Sequence, residues 1–277
     1  MEILNFGSSI KNGNYILHSE FKNVHNYTNN VELISLVSTK IGAGPNNIVL
    51  NNFPLQAEQI LTISNPTISI GNTALYIIPV ELLSKEYIYI NNISVLLSRI
   101  KLILNELSDY ISPKSLGFLL FPDNENFFNS IFEKALLAHV KKTVQKISLE
   151  NIPTIAKNMK GVGIGLTPSG DDFNCGILYA LNYLNEILSK DFTEIIEACY
   201  LNSTGNNLIS NTFLRYAFLN KYYENFHELL KALKDNDKLK ISIYIKKIIN
   251  TGHTSGSDML SGFILTIKGV LNDKKYC

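Results

Sequence analysis

Two short stretches hold most of the residues whose types and spacing suit chemistry. Residues 161–172 read GVGIGLTPSGDD, and residues 252–258 read GHTSGSD. With Pro168 set aside, Ser169-Gly170-x-Asp172-x-x-x-Gly176 aligns with Ser255-Gly256-x-Asp258-x-x-x-Gly262, and a Thr precedes each copy. The two aspartates lie 86 positions apart (258 minus 172). Both stretches run into apolar residues at helical spacing, so both read as helix starts. A Ser or Thr there accepts from unpaired backbone N–H groups. An Asp in the first turn is favoured by the helix dipole. Gly176 and Gly262 fall four residues after each Asp, on the same helical face, where they allow close helix–helix contact.

If the two helix starts converge, their N–H groups and partial positive charge make an anion site. The residues expected to line it are Gly163, Gly165, Thr167, Ser169, Gly170, Thr254, Ser255 and Gly256. Asp171, Asp172 and Asp258 would orient hydroxyls, take a proton, or hold a Mg²⁺ or Mn²⁺ ion bridging to the anion. The plain alternative is two ordinary capped helices packed tightly together.

Other candidates stand apart from this pair. His253 sits in the second loop, where an imidazole beside hydroxyls suits an acid, a base or an oxyanion donor. His139 lies on an apolar helical stripe and reads as a core or boundary residue; His18, His25 and His227 have no supporting context. The turn IGAGPNN presents Gly44, Asn46 and Asn47 either to a ligand or merely to a β-turn. In SNTFLRYAF, Arg215 sits among apolar residues and needs an anionic partner, from substrate or protein. Cys175 occupies the place of Ser261 in the second copy, which suggests packing more than nucleophilicity. There is no G-x-S-x-G, no phosphate-binding GxxxxGK[ST] and no HExxH.

The elements that must position these residues change character near residue 90. Before it, NYILHS, VELISLVS, NNIVL, QILTIS, TISIG and ALYIIPV read as strands separated by Asn, Gly and Pro clusters. After it the period is helical, with stripes at Ile93–Ile111 and Phe128–Val140. Further helices are expected at 171–189, 192–202, 207–220, 222–235, 237–249 and 257–271. The fold class is α+β: a β-rich N-terminal sheet or small barrel over 1–90, then a mainly helical region over 91–277, the two parts free to share one core. With 45% hydrophobic residues the chain can bury a sizeable core. Its formal net charge of +1 gives no electrostatic footing for nucleic acid or an anionic membrane. Cys175, Cys199 and Cys277 show no metal or disulfide spacing. With no secretory leader and no bilayer-length apolar run, the expected location is cytoplasmic.

The set GAGPNN, GVGIGLTPSGDD, SNTFLRYA and GHTSGSDML resembles the AllH-like family, long classed as a domain of unknown function, across about residues 40–270. The resemblance implies a subunit of an oxamate carbamoyltransferase. That enzyme interconverts oxalurate plus phosphate with oxamate plus carbamoyl phosphate in purine and allantoin breakdown. It also implies FdrA-like and AllG-like partner subunits and a small anionic substrate: phosphate, carbamoyl phosphate or a carboxylate amide. The matching positions are Thr167, Ser169, Gly170, Asp171, Asp172, His253, Thr254, Ser255 and Asp258. Ile164 departs from the family's usual proline, a change in loop stiffness.

Two competing readings remain. SGDDFNCGILYAL is similar to a segment of ribokinase-type sugar kinases, which would make Asp171 the base, but that fold needs an alternating α/β core. A non-catalytic scaffold or ligand-sensing subunit is the other.

Overall fold

The computed structural model describes residues 1–77, 89–188 and 190–272. It divides into two compact units: Met1–Ser84 with Lys221–His227, and Lys85–Asn220 with Glu228–Cys277.

The first unit is an eight-stranded sheet. In chain order its strands are β1 (Ile3–Phe6), β2 (Gly13–Phe21), β3 (Val24–Thr28), β4 (Leu33–Ser38), β5 (Asn47–Leu50), β6 (Ile60–Ser64), β7 (Thr67–Ile70) and β8 (Thr73–Tyr76). They lie side by side as β1-β5-β4-β3-β2-β6-β7-β8 and curl into a nearly closed barrel. Every pairing is antiparallel except β4 with β5. Tyr15, Tyr27, Leu36, Ile48, Leu61 and Ile68 fill its interior. Successive residues of β7 alternate between half-buried and buried, the period that puts one face on a core. β1 and β3 escape the sequence pattern because polar residues interrupt them (ILNF, VHNYT). The last residues of ALYIIPV, 78–80, lie outside the described residues. A helical segment from far along the chain also belongs to this unit. The carboxylate of Glu224 accepts the Ala43 N–H at 2.6 Å, and the Tyr223 hydroxyl donates to Asn46 Oδ1 at 2.7 Å.

The second unit is helical: α1 (Ile93–Tyr110), α2 (Ile131–Thr143), α3 (Ile152–Met159), α4 (Ser169–Leu188), α5 (Thr193–Ser203), α6 (Leu208–Phe218), α7 (Glu224–Asp235, whose start packs with the sheet), α8 (Lys238–Ile249) and α9 (Ser255–Leu271). Most of these lie within a few residues of the expected spans. α4 is buried on all sides from Gly170 to Leu181, which marks it as the core helix. α9 is its principal partner, and α5 and α6 also pack on it.

α2 departs from expectation. The helix forms, started by a capping box between Ser130 and Glu133, but only Val140 of its stripe is buried within it. Ile131 is 91% exposed and Phe132 53%. His139 is exposed as well, its ring Nε2 3.0 Å from the Asn158 carbonyl oxygen, rather than a core or boundary residue. Helical periodicity reports that a face is apolar; it does not report what covers it. α3 was missed because its span is short, with a proline in the first turn.

Candidate functional site

Both motif stretches connect a short helix to a long one. α3 leads through residues 160–168 into α4, and α8 leads through residues 250–254 into α9. Each first-turn glycine lies where a side chain would strike the carbonyl closing the preceding helix. Gly170 meets Met159 O and Gly256 meets Ile248 O. The second glycines act between the long helices. A Cβ on Gly176 would strike the carbonyl oxygen of Met259, and one on Gly262 would strike that of Phe173. Residues 173 and 259 are themselves equivalent under the 86-residue offset. The two helices therefore pack as a two-fold pair, each glycine seated on the other helix's backbone, and the sequence echo is a structural one.

The hydroxyls follow the same crossing. Ser169, on α4, faces the carboxyl of Asp258 on α9 and favours its ionised form, and Ser255, on α9, does the same for that of Asp172 on α4. Each Thr stays within its own copy: Thr167 acts on Asp172 and Thr254 on Asp258. Thr254, the residue before α9, makes no capping bond, contrary to the expectation for a hydroxyl at a helix start. The Asp carboxyls are buried, at 6% for Asp172 and fully for Asp258, whereas Thr167, Ser169, Thr254 and Ser255 are half-buried. The arrangement is layered, with hydroxyls outside and carboxyls behind.

Burial, and then the charge of Asp258, pushes the Asp172 carboxyl well above the usual range; Ser255 and Thr167 pull it back in part. Burial raises Asp258 to about 7, against the Leu116 N–H and the Ser169 and Thr254 hydroxyls. Cys175, one turn on, is also pushed up by burial and by Asp172 and Asp171. Two buried carboxyls on which no Lys, Arg or His acts do not both ionise readily near neutral pH. That makes the pair suited to proton exchange.

Asp171 is different in kind. Its Oδ1 accepts the Gly161 N–H at 2.7 Å, tying the loop down where it leaves α3. The equivalent Ser257 does the same for another loop, its Oγ accepting the Ser112 N–H at 3.1 Å. Beyond Gly161 the loop rises into solvent. Gly163 and Gly165 adopt left-handed φ values of 111° and 106°, with Ile164 77% exposed between them.

The other predicted residues are placed as follows. His253 is exposed in the loop before α9. Arg215 is half-buried in the last turn of α6 and is not among the groups acting on either raised carboxyl. Gly44 and Asn46 belong to the sheet unit. There Gly44 abuts the Tyr223 ring, and Asn46 is satisfied at both ends, by Tyr223 and by the Leu33 carbonyl. Among the described residues no group of three or more His, Cys, Asp or Glu is set to hold a metal ion. Asp171, Asp172 and Asp258, where the sequence left a Mg²⁺ or Mn²⁺ ion open, form no such group.

Sequence reasoning missed Leu116, whose main-chain N–H reaches Asp258 Oδ1 at 2.6 Å. A backbone donor leaves no mark on residue type. It also missed Asn174, a buried residue with an unpartnered Oδ1.

This chain has a matching family over the segment that holds both motifs. Residues 159–267 match the family model of the oxamate carbamoyltransferase subunit AllH. The AllH match begins at the last residue of α3 and ends inside α9, so it contains every residue of the crossed pairing. Leu116 and the exposed face of α2 fall outside it. No solved structure matches the chain. Among the described residues, no helix is long and apolar enough to cross a membrane.

Proposed function

We propose that the helical unit carries the substrate site of a carbamoyltransferase subunit acting between oxalurate plus phosphate and oxamate plus carbamoyl phosphate. The carrying observation is the crossed pairing of Ser169 with Asp258 and Ser255 with Asp172 at the two packed helix starts. The half-buried hydroxyls and the uncapped N–H groups at the start of α9 suit the oxygens of a small anion. The buried carboxyls behind them, both raised by burial, suit the amide, which must lose a proton as it becomes a nucleophile. Asp171 positions the loop, and His253 is placed to meet a ligand from the solvent side. Purine and allantoin breakdown is the setting this chemistry implies, with FdrA-like and AllG-like subunits as the partners to supply.

The test is ligand-induced thermal shift on the full chain, followed by assay with those subunits. Carbamoyl phosphate or phosphate, together with oxamate, should raise Tm, and Ser169→Ala/Ser255→Ala should abolish the rise with folding intact. No shift with any of them, and no ureido product with the partners present, rejects the reading. A shift with Mg-ATP alone would instead favour phosphotransfer. The sheet topology gives that alternative no footing, because the strands do not alternate with helices.

The non-catalytic subunit reading has one observation of its own, the exposed apolar face of α2 at Ile131 and Phe132. It predicts that Asp172→Asn leaves the activity of the assembled complex unchanged.

A further inference from the structure

Asp172 and Asp258 hold equivalent places but have unequal partners. Asp258 takes a main-chain N–H, from Leu116 at 2.6 Å, besides the Ser169 and Thr254 hydroxyls. The groups that favour the ionised form of Asp172 are hydroxyls, those of Ser255 and Thr167. A main-chain N–H can only donate, so it favours the ionised form of its acceptor. A hydroxyl can turn and accept from a protonated carboxyl as readily as it donates to an ionised one. Each carboxyl also keeps one buried oxygen, Oδ2, with no protein partner. The remaining titratable groups acting at the pair are Asp171 and Cys175 on α4. Asp171 disfavours a second charge on Asp172, and Cys175 is itself disfavoured as an anion by both. No Lys, Arg or His acts on either carboxyl. Two like charges so placed do not both persist.

The geometry points to an unequal pair: Asp172 keeps a proton through neutral pH, Asp258 is the carboxylate, and the Leu116 main-chain N–H makes the choice. The charge of Asp258 is among the causes that raise Asp172, which agrees with an ionised Asp258 beside a protonated Asp172. In the proposed transfer, the amide nitrogen bonds to the carbamoyl carbon as its N–H bond breaks. The carbon–oxygen bond to phosphate breaks, and its electron pair leaves with the phosphate. The released proton goes to the Ser169 hydroxyl, which passes its own to Asp258; from there it returns to the departing phosphate. Asp172 stays protonated throughout and holds the Ser255 hydroxyl in place. This use rests on the proposed reaction, whereas the unequal protonation does not.

The experiment is a carboxyl ¹³C NMR titration of the full chain labelled at aspartate, without substrate. One buried carboxyl should remain protonated through pH 7. Its signal should be absent from Asp172→Asn and present in Asp258→Asn. In Asp172→Asn, Asp258 should titrate about where it does in the unaltered protein, because the neighbour it loses carries no charge there. Both carboxyls titrating below pH 5 in the unaltered protein would overturn the inference. So would a protonated signal that survives Asp172→Asn and disappears in Asp258→Asn. Should an Asn variant fail to fold, Thr167→Val decides: losing a hydroxyl from Asp172 alone must raise the persistent carboxyl, and no change overturns the assignment. A protein that titrates this way yet forms no ureido product defeats the reaction and leaves the unequal pair standing; the reverse result defeats the pair alone.

Discussion

The Ser169 hydroxyl acts on the carboxyl of Asp258, on the other helix, and not on that of Asp172 three residues along its own. The mirror relation, of Ser255 to Asp172, makes the two motif loops mutually dependent. A change in one copy is thus felt at the carboxyl of the other.

Ser169→Ala and Ser255→Ala should each lower stability by about 1–2 kcal/mol, since each leaves a buried carboxyl short of a partner. Both residues bear on one coupled pair, so the double variant should depart from additivity by about 0.5 kcal/mol or more. Urea unfolding of the four-protein cycle measures this. Strict additivity would show that the two crossed bonds act independently.

The Asp258 carboxyl, at about 7, lies above its unfolded value, so the native state binds a proton that the unfolded chain has released. The stabilisation is fully present below about pH 4 and is lost as pH rises through about 7. The loss approaches about 1.4 kcal/mol per pH unit between those values. Asp258→Asn removes this proton, so Tm of the variant should fall less steeply than wild type from pH 5 to 7. Parallel Tm curves would contradict the assignment.

Gly176→Ala places a methyl group against the Met259 carbonyl, and Gly262→Ala against that of Phe173. Backbone cannot turn aside as a side chain does. Each should cost about 3 kcal/mol, the upper end for overpacking, through displacement of α9 against α4. Gly205→Ala, whose methyl would meet only the Lys160 side chain at 3.6 Å and beyond, is the control and should lie within about 0.5 kcal/mol. Thermal unfolding ranks the three; equal losses would mean that the helix contact is looser than described.

Ile131→Lys with Phe132→Lys on α2 should change the stability of the isolated chain by no more than about 0.5 kcal/mol each, since both side chains face solvent. A loss of several kcal/mol would show that this face is covered within the chain. Unchanged stability with loss of complex assembly in the presence of the partner subunits would identify what covers it.

The helix starts were legible because Ser, Gly and Asp recur at one spacing, and a repeated spacing constrains two backbones at once. The order of strands was not. β5 lies between β1 and β4, and that pairing is decided by side chains meeting across a curled sheet. The placement of Glu224 and Tyr223 with the sheet was equally hidden, because nothing about an acidic helix start names the distant N–H it receives. At the site, the sequence distinguished Asp171 from Asp172 only by analogy with the second copy, where Ser257 replaces the former. The structure supplies the reason: position 171 ties a loop, a task a hydroxyl performs as well, whereas position 172 faces the opposite motif.

The crossing has a consequence in time. During synthesis α4 leaves the ribosome well before α9, and until Ser255 and Gly262 follow, Asp172 lacks the hydroxyl from across the pair and the backbone of Phe173 lacks its cover. The nascent chain therefore cannot assemble the site piecemeal. Its proton-holding pair comes into being in one late event, when the last described helix closes on the first half already made.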